Sequence, residues 1–215
     1  MAIVCIAGMG PGIGKTAVTE LLIGAFPGAV AARVRVGEEI APDDAGLLAE
    51  TGYHLTASST SGGSESEVNR FLAAGAREVR VLLAEPRGLE AGLAAMLSNV
   101  PAGTHLVVEG NGYLWARSAD AAVMVIGPGP SGKGLGRVQS SVRELFGKIT
   151  IWAWNTRRDP ASEGFFEFPQ ALARMGFRET VSNRADFHHV NPRKAQHGGN
   201  GPFLESVRQT IEGEW

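Results

Sequence analysis

Short apolar runs alternate with stretches of helical spacing along most of this chain. Ala2–Gly8 (AIVCIAG) is apolar throughout, as a parallel strand covered on both faces requires. From Lys15 to Phe26, Val18, Leu21, Leu22 and Ala25 recur at helical spacing until FPG stops the pattern. Ala29–Gly37 (AVAARVRVG) reads as a second strand, its two-residue period placing Arg33 and Arg35 on one face. PDDAGLLAETG, with an acidic first turn and Gly52 at its end, predicts a short helix. Ser58–Ser66 (SSTSGGSES) reads as a loop, and Ser64 or Ser66 as the cap of a helix running through Ala74.

The alternation continues. REVRVLLAE is a strand with Val79, Val81 and Leu83 alternating, Leu89–Leu97 a helix, and Thr104–Gly110 (THLVVEG) and Ala121–Gly127 (AAVMVIG) are buried strands. A helix is expected near Arg137–Phe146, and Lys148–Asn155 (KITIWAWN) is a further strand. Beyond it, helix-like stretches near Pro169–Met175 and Phe203–Ile211 flank an irregular polar segment, NRADFHHVNPRKAQHGGNG. Strands alternating with helices predict an α/β fold, a doubly wound, mostly parallel sheet with helices on both faces. The expectation is one domain over 1–215, with 160–215 as its C-terminal extension.

Composition narrows the partners. With 44% apolar and 20% charged residues, the 215-residue chain can bury a real core. A net charge of −2 supplies no basic field toward nucleic acid or anionic lipid, so neither is an expected partner. The lone cysteine, Cys5, excludes an internal disulfide, and the N-terminal apolar run is too short for a leader or a membrane span. The expected location is cytoplasmic.

Two glycine loops follow strands. In Gly8–Thr16 (GMGPGIGKT), the spacing G-x-x-x-x-G-K-[ST] asks for glycine where Met9 stands; Gly8 precedes it by one position. The loop follows a buried strand and opens a helix, where backbone N–H groups and the helix dipole favour phosphate. Gly10, Gly12, Ile13, Gly14, Lys15, Thr16 and Ala17 would cradle a nucleotide, Lys15 reaching the outer phosphates and Thr16 offering a hydroxyl to Mg²⁺. The alternative is a glycine-rich turn with a chance GKT. Gly127–Gly134 (GPGPSGKG) has the regular spacing but puts Gly134 after Lys133, so it is an accessory anion loop or only a turn.

A phosphate loop needs an acidic partner at a neighbouring strand end. Glu109 ends LVVE, while Asp43 and Asp44 start a helix soon after the second strand and either hold metal or cap that helix. Asn155, after a late strand, pairs with a purine edge or opens an Asx turn toward Asp159-Pro160.

These residues resemble the SIMIBI class of P-loop NTPases over roughly Met1–Asp159. Dethiobiotin synthetase is similar in its phosphate-loop spacing, in VVEG (Val107–Gly110) and in an Asn-containing strand end like WAWN. The resemblance implies Thr16 and Glu109, with Asp44, as Mg²⁺ ligands. The molybdopterin-guanine dinucleotide biosynthesis protein B family, which binds GTP, is resembled in NRFLAAGAREVRVL and again in VEG. ARVRVG replaces the lysine-bearing strand of dethiobiotin synthetase, and NTRRD is one residue longer than the guanine motif NKxD.

The expected function is Mg²⁺-dependent binding of ATP or GTP with phosphoryl transfer or hydrolysis, as an NTPase or an NTP-dependent ligase or transferase of cofactor metabolism, Lys15 being the catalytic residue and a small molecule the second substrate. The alternative is a nucleotide-gated accessory protein of cofactor biosynthesis, a homodimer acting on a partner protein. Other residues tempt. His188, His189, His197 and Asp186 lack convincing ligand spacing. Trp152 and Trp154 are expected in the core or beside the base, Trp115 against a substrate or partner, Arg157 and Arg158 near phosphate or simply exposed, and Cys5 as a buried small hydrophobe.

Overall fold

The computed structural model describes residues 1–48, 50–60, 66–127, 140–155, 169–170, 172–173, 186–194 and 198–213. The Lys133 loop after Gly127, the start of the Arg137 helix, Arg157, Arg158, Asp159, His197, Ser64 and most of the Pro169–Met175 stretch lie outside the described residues.

Eight strands form one sheet in the order β3-β4-β2-β5-β1-β6-β7-β8. They are β1 (Ile3–Gly8), β2 (Val30–Val36), β3 (Tyr53–Ser58), β4 (Glu78–Ala84), β5 (Leu106–Glu109), β6 (Ala121–Ile126), β7 (Ile151–Asn155) and β8 (Asp186–Val190). Among the described strands, only β3 runs antiparallel to its neighbour. The helices are α1 (Lys15–Ala25), α2 (Ser66–Ala73), α3 (Leu89–Ser98), α4 (Asn111–Ala116), α5 (Ser140–Arg143) and α6 (Gly201–Glu212). Among the described residues, no helix is long and apolar enough to cross a membrane.

The apolar runs are central strands because each has two covered faces. On one face Val4, Ile6, Ala31 and Val107 pack with Val18, Leu22 and Phe71 of α1 and α2 and with Phe203 of α6. On the other Cys5, Ala32, Val34 and Val108 pack with Leu93 of α3 and Leu114 of α4. The doubly wound α/β expectation therefore holds. Trp152 and Trp154 belong to this second core, Trp152 meeting Phe146 edge-on at 5.0 Å.

Several elements differ from expectation. PDDAGLLAETG forms a 3-10 turn over Pro42–Leu48 rather than an α-helix; Gly46 interrupts it, and little of it is buried, so packing does not enforce a longer helix. β3 and β8 arise from segments without a strand pattern, because each lies at a sheet edge and pairs on one side only. β8 (DFHHV) holds polar residues that a doubly covered strand would exclude, which is why its segment reads as an irregular polar loop. α4 starts directly after β5, where glycines suggest only a loop.

The carboxyl ends of β1, β2, β5, β7 and β8 lie along one sheet edge. They deliver the first glycine loop, Arg35, Glu109, Asn155 and Asn191 to a common rim, the crevice position where open α/β sheets bind ligands.

Candidate functional site

β1 continues to Gly8, which pairs with Val125 of β6, and Met9 N–H donates to the Val125 carbonyl at 3.1 Å. The Met9 side chain is buried, 1% exposed, in the core. The residue in excess of the regular spacing thus belongs to the strand end, and the cradle proper begins at Gly10. Gly12 (φ 67°) and Gly14 (φ 93°) take left-handed conformations that turn the chain into α1. Gly14 is the helix N-cap and carries no side chain, so no side-chain cap fills the N-terminus of α1. The N–H groups of the first turn, with Lys15, Thr16 and Ala17, face a cavity of about 1030 Å³.

Two neighbours hold the loop. A Cβ on Gly14 would lie 2.0 Å from Asn155 Nδ2, and Asn155 Nδ2 donates to the Ile13 carbonyl at 2.9 Å. A Cβ on Gly8 would lie 2.7 Å from Lys15 Cγ and Cδ; its absence lets the lysine stem cross the strand end. Asn111, 4% exposed at the start of α4, is the second clamp. Gly8 N–H donates to Asn111 Oδ1 at 2.8 Å, and Asn111 Nδ2 donates to the Gly8 carbonyl at 3.0 Å. Sequence reasoning missed Asn111, although its place two residues after Glu109 is the available signal. Asn111→Ala leaves both Gly8 groups buried and unpaired, so a loss of about 2 kcal/mol in denaturant unfolding is expected, with weaker nucleotide binding. Wild-type stability in that variant would mean that the clamp is dispensable.

Beside the loop, β5 ends at Glu109, between Ile6 of β1 and Arg33 of β2 in register. Its carboxyl is 2% exposed. Thr16 Oγ1 donates to Glu109 Oε1 at 3.2 Å, while Oε2 is buried with no hydrogen-bond partner among the described residues. Burial pushes this carboxyl above its ordinary range, and Glu67 adds to the push. Arg33, Lys15 and the Thr16 hydroxyl pull it back in part.

The structure brings Gly10, Gly12, Ile13, Gly14, Lys15, Thr16, Ala17, Glu109 and Asn155 to this one cavity. Asp44 does not join them: it sits in the Pro42–Leu48 turn, whose course along the β3 side carries it outside the cavity lining. Glu38 and Glu39, on the turn that follows β2, line the rim instead. Trp115, 37% exposed, also lines the cavity, as do Asn191 and Arg193 after β8. Cys5 is buried, and burial raises its thiol pKa, which leaves it inert. His188 and His189 lie on β8, where burial lowers the His189 pKa. Among the described residues, no group of three or more His, Cys, Asp or Glu is placed to hold a metal.

No family model and no curated protein matches the sequence. Solved structures do match. A crystal structure of LAO/AO transport system kinase superposes with a TM-score of 0.50 at 12% identity, covering 98% of this chain and 59% of that one. The likeness shows that this kinase shares the α/β fold described above. At this identity the likeness carries the fold alone, and neither of the two families that the motifs resemble. The chain spans about three fifths of that protein's length.

Proposed function

We propose that this protein binds a Mg²⁺–nucleoside triphosphate in the Gly8–Thr16 cradle and transfers its terminal phosphoryl group to a small-molecule acceptor. The observation that carries this reading is Glu109 Oε2, a buried carboxylate oxygen with no hydrogen-bond partner among the described residues, next to the Thr16 hydroxyl. A buried carboxylate is costly, and Arg33, 3.5 Å from the other oxygen, offsets that burial only in part. Mg²⁺ prefers oxygen ligands and takes only one or two from protein when phosphates supply others, so Thr16 and Glu109 fit it without a larger acidic cluster. When bound, Mg²⁺ neutralises charge on the phosphate oxygens.

The chain's own groups do the rest. First-turn N–H groups of α1 bind the phosphates, and the Lys15 ammonium stabilises charge on the transferred group. Asn155 keeps Oδ1 for a base edge while one amide hydrogen holds Ile13. Asn191 Oδ1 is buried with no partner among the described residues and can accept from a ring amino or imino N–H. The backbone of Asn191 is fixed by both ends of the Asn200 carboxamide, at 2.9 and 3.0 Å. Either ATP or GTP satisfies these amides.

Among the described residues no histidine lines the cavity, and Glu20 and Glu67 are ion-paired to arginines. Activation of water is therefore poor, and turnover of nucleotide alone is expected to be slow. Phosphate release from Mg-ATP and Mg-GTP, with and without a pool of small metabolites, tests this. Acceleration by small molecules supports transfer. Tight binding with no turnover under any of these conditions supports the nucleotide-gated accessory protein instead.

A further inference from the structure

The cavity is larger than one nucleotide needs, at the upper end of the range for single ligand pockets. It follows the sheet edge from β2 to β8, with the phosphate cradle between. A nucleotide whose base meets Asn155 and Asn191 extends toward β7 and β8. The β2 side, about 10 Å away across β5 at ordinary strand spacing, remains for something else.

That side is built of arginines. β2 is an interior strand, yet Arg33 and Arg35 interrupt its apolar run on the α2 face. Arg33 Nη1 lies 2.5 Å from Glu67 Oε1 and 3.5 Å from Glu109 Oε1. Arg35 Nη2 donates to Glu67 Oε2 at 2.8 Å. Each oxygen of one α2 carboxylate thus pairs with one guanidinium, Arg35 through a hydrogen bond and Arg33 as an ion pair. Arg70, one turn further along α2, pairs with Glu20 at 2.5 Å. Arg33 and Arg35 thus share the single Glu67 carboxylate, and Glu109 is the other carboxylate within 4 Å of Arg33. The other N–H groups of Arg33 and Arg35 form no bond to a described residue and belong to side chains lining the cavity. An interior strand bears this desolvation only where the charges meet a partner.

We propose that Arg33 and Arg35, oriented by Glu67, bind the carboxylate of the second substrate, a small monocarboxylate seated beside the terminal phosphate. This rests on the phosphoryl-transfer reading of the same cavity. Guanidinium forks match a planar carboxylate, which two guanidiniums side by side can take in bidentate fashion. Glu38 and Glu39, exposed at the rim, disfavour a polyanion. Trp115, also in the lining, offers an apolar face to the acceptor's carbon chain. Glu67 is a positioning residue: it touches neither phosphate nor acceptor.

The test follows the arginine Nε–H resonances of ¹⁵N-labelled protein, assigned with R33K and R35K, during titration with butyrate. Butyramide and inorganic phosphate are the comparison probes. The protein is used nucleotide-free and with Mg²⁺ and ADP or GDP. Butyrate is expected to shift the Arg33 and Arg35 signals saturably, and butyramide to leave them in place. R35K, which keeps the charge and loses the fork, is expected to weaken butyrate about tenfold. Absence of a saturable shift with butyrate overturns the proposal, and so does equal binding of phosphate. Failure of the nucleotide reading shows separately, as the absence of any response to Mg-ADP or Mg-GDP at the Gly10–Ala17 amides.

Discussion

Lys15→Ala abolishes the thermal stabilisation that Mg-ATP or Mg-GTP confers on the wild-type protein. A ligand at a hundred times its Kd stabilises by about 2.7 kcal/mol, which for a chain of this size raises Tm by roughly 5–10 °C. The effect is large because Lys15 combines two roles. Its ammonium is the cradle's charge for the outer phosphates, and its stem packs across Gly8, so the charge is held in place before nucleotide arrives. The fold itself should survive, since Lys15 is only partly buried and stands at the first position of α1. Differential scanning fluorimetry with each nucleotide reads the result. A variant that still shifts as the wild type does would move the phosphate site elsewhere.

Glu109→Gln keeps the shape of the side chain and removes its charge. It is expected to weaken the Mg²⁺ dependence of nucleotide binding and to lower turnover at least ~10²-fold, the scale of losing one preorganised electrostatic element. The nucleotide-free protein should respond in the opposite sense. Burial raises the Glu109 carboxyl above its ordinary value near 4.5, so the folded chain retains a proton that the unfolded chain has released. Stability from this group is present at low pH and is lost as pH rises from that ordinary value through the raised one. The Gln variant lacks this loss and is expected to be as stable as wild type at acid pH and more stable at neutral pH. Urea unfolding at the two pH values, without nucleotide, checks the sign. Normal turnover together with an unchanged pH profile would reduce Glu109 to a strand end.

The central strands β1, β5 and β6 were readable because both faces of each are covered, so their composition is almost wholly apolar. The edge strands were not: β3 and β8 bury one side or less, and their polar residues carry no period that separates strand from loop. The turn from β1 into α1 was readable from Gly12, Gly14, Lys15 and Thr16, and the structure shows φ above zero at both glycines and a helix that starts at Lys15; phosphate binding there is the proposal. Its irregular opening is explained only by tertiary packing, namely burial of Met9 and the Val125 hydrogen bond. Glu109 was readable as a charge ending an apolar run. Asn111, Glu67 and Asn191 were not, because their roles depend on partners distant in sequence, such as Gly8 for Asn111 and Asn200 for the Asn191 backbone. Asp44 shows the converse: an acidic pair after the second strand suggests a metal ligand, yet the chain turns away and leaves Glu38 and Glu39 at the rim.

Isothermal titration of the wild-type chain with ATP and GTP, each with Mg²⁺ and then with the ion chelated, tests the central claim most directly. The account predicts saturable binding of at least one nucleotide at one site per chain, weakened at least tenfold when Mg²⁺ is removed, since Thr16 and Glu109 would then face phosphate without the ion between them. Absence of saturable binding for both nucleotides, or binding indifferent to Mg²⁺, would contradict it.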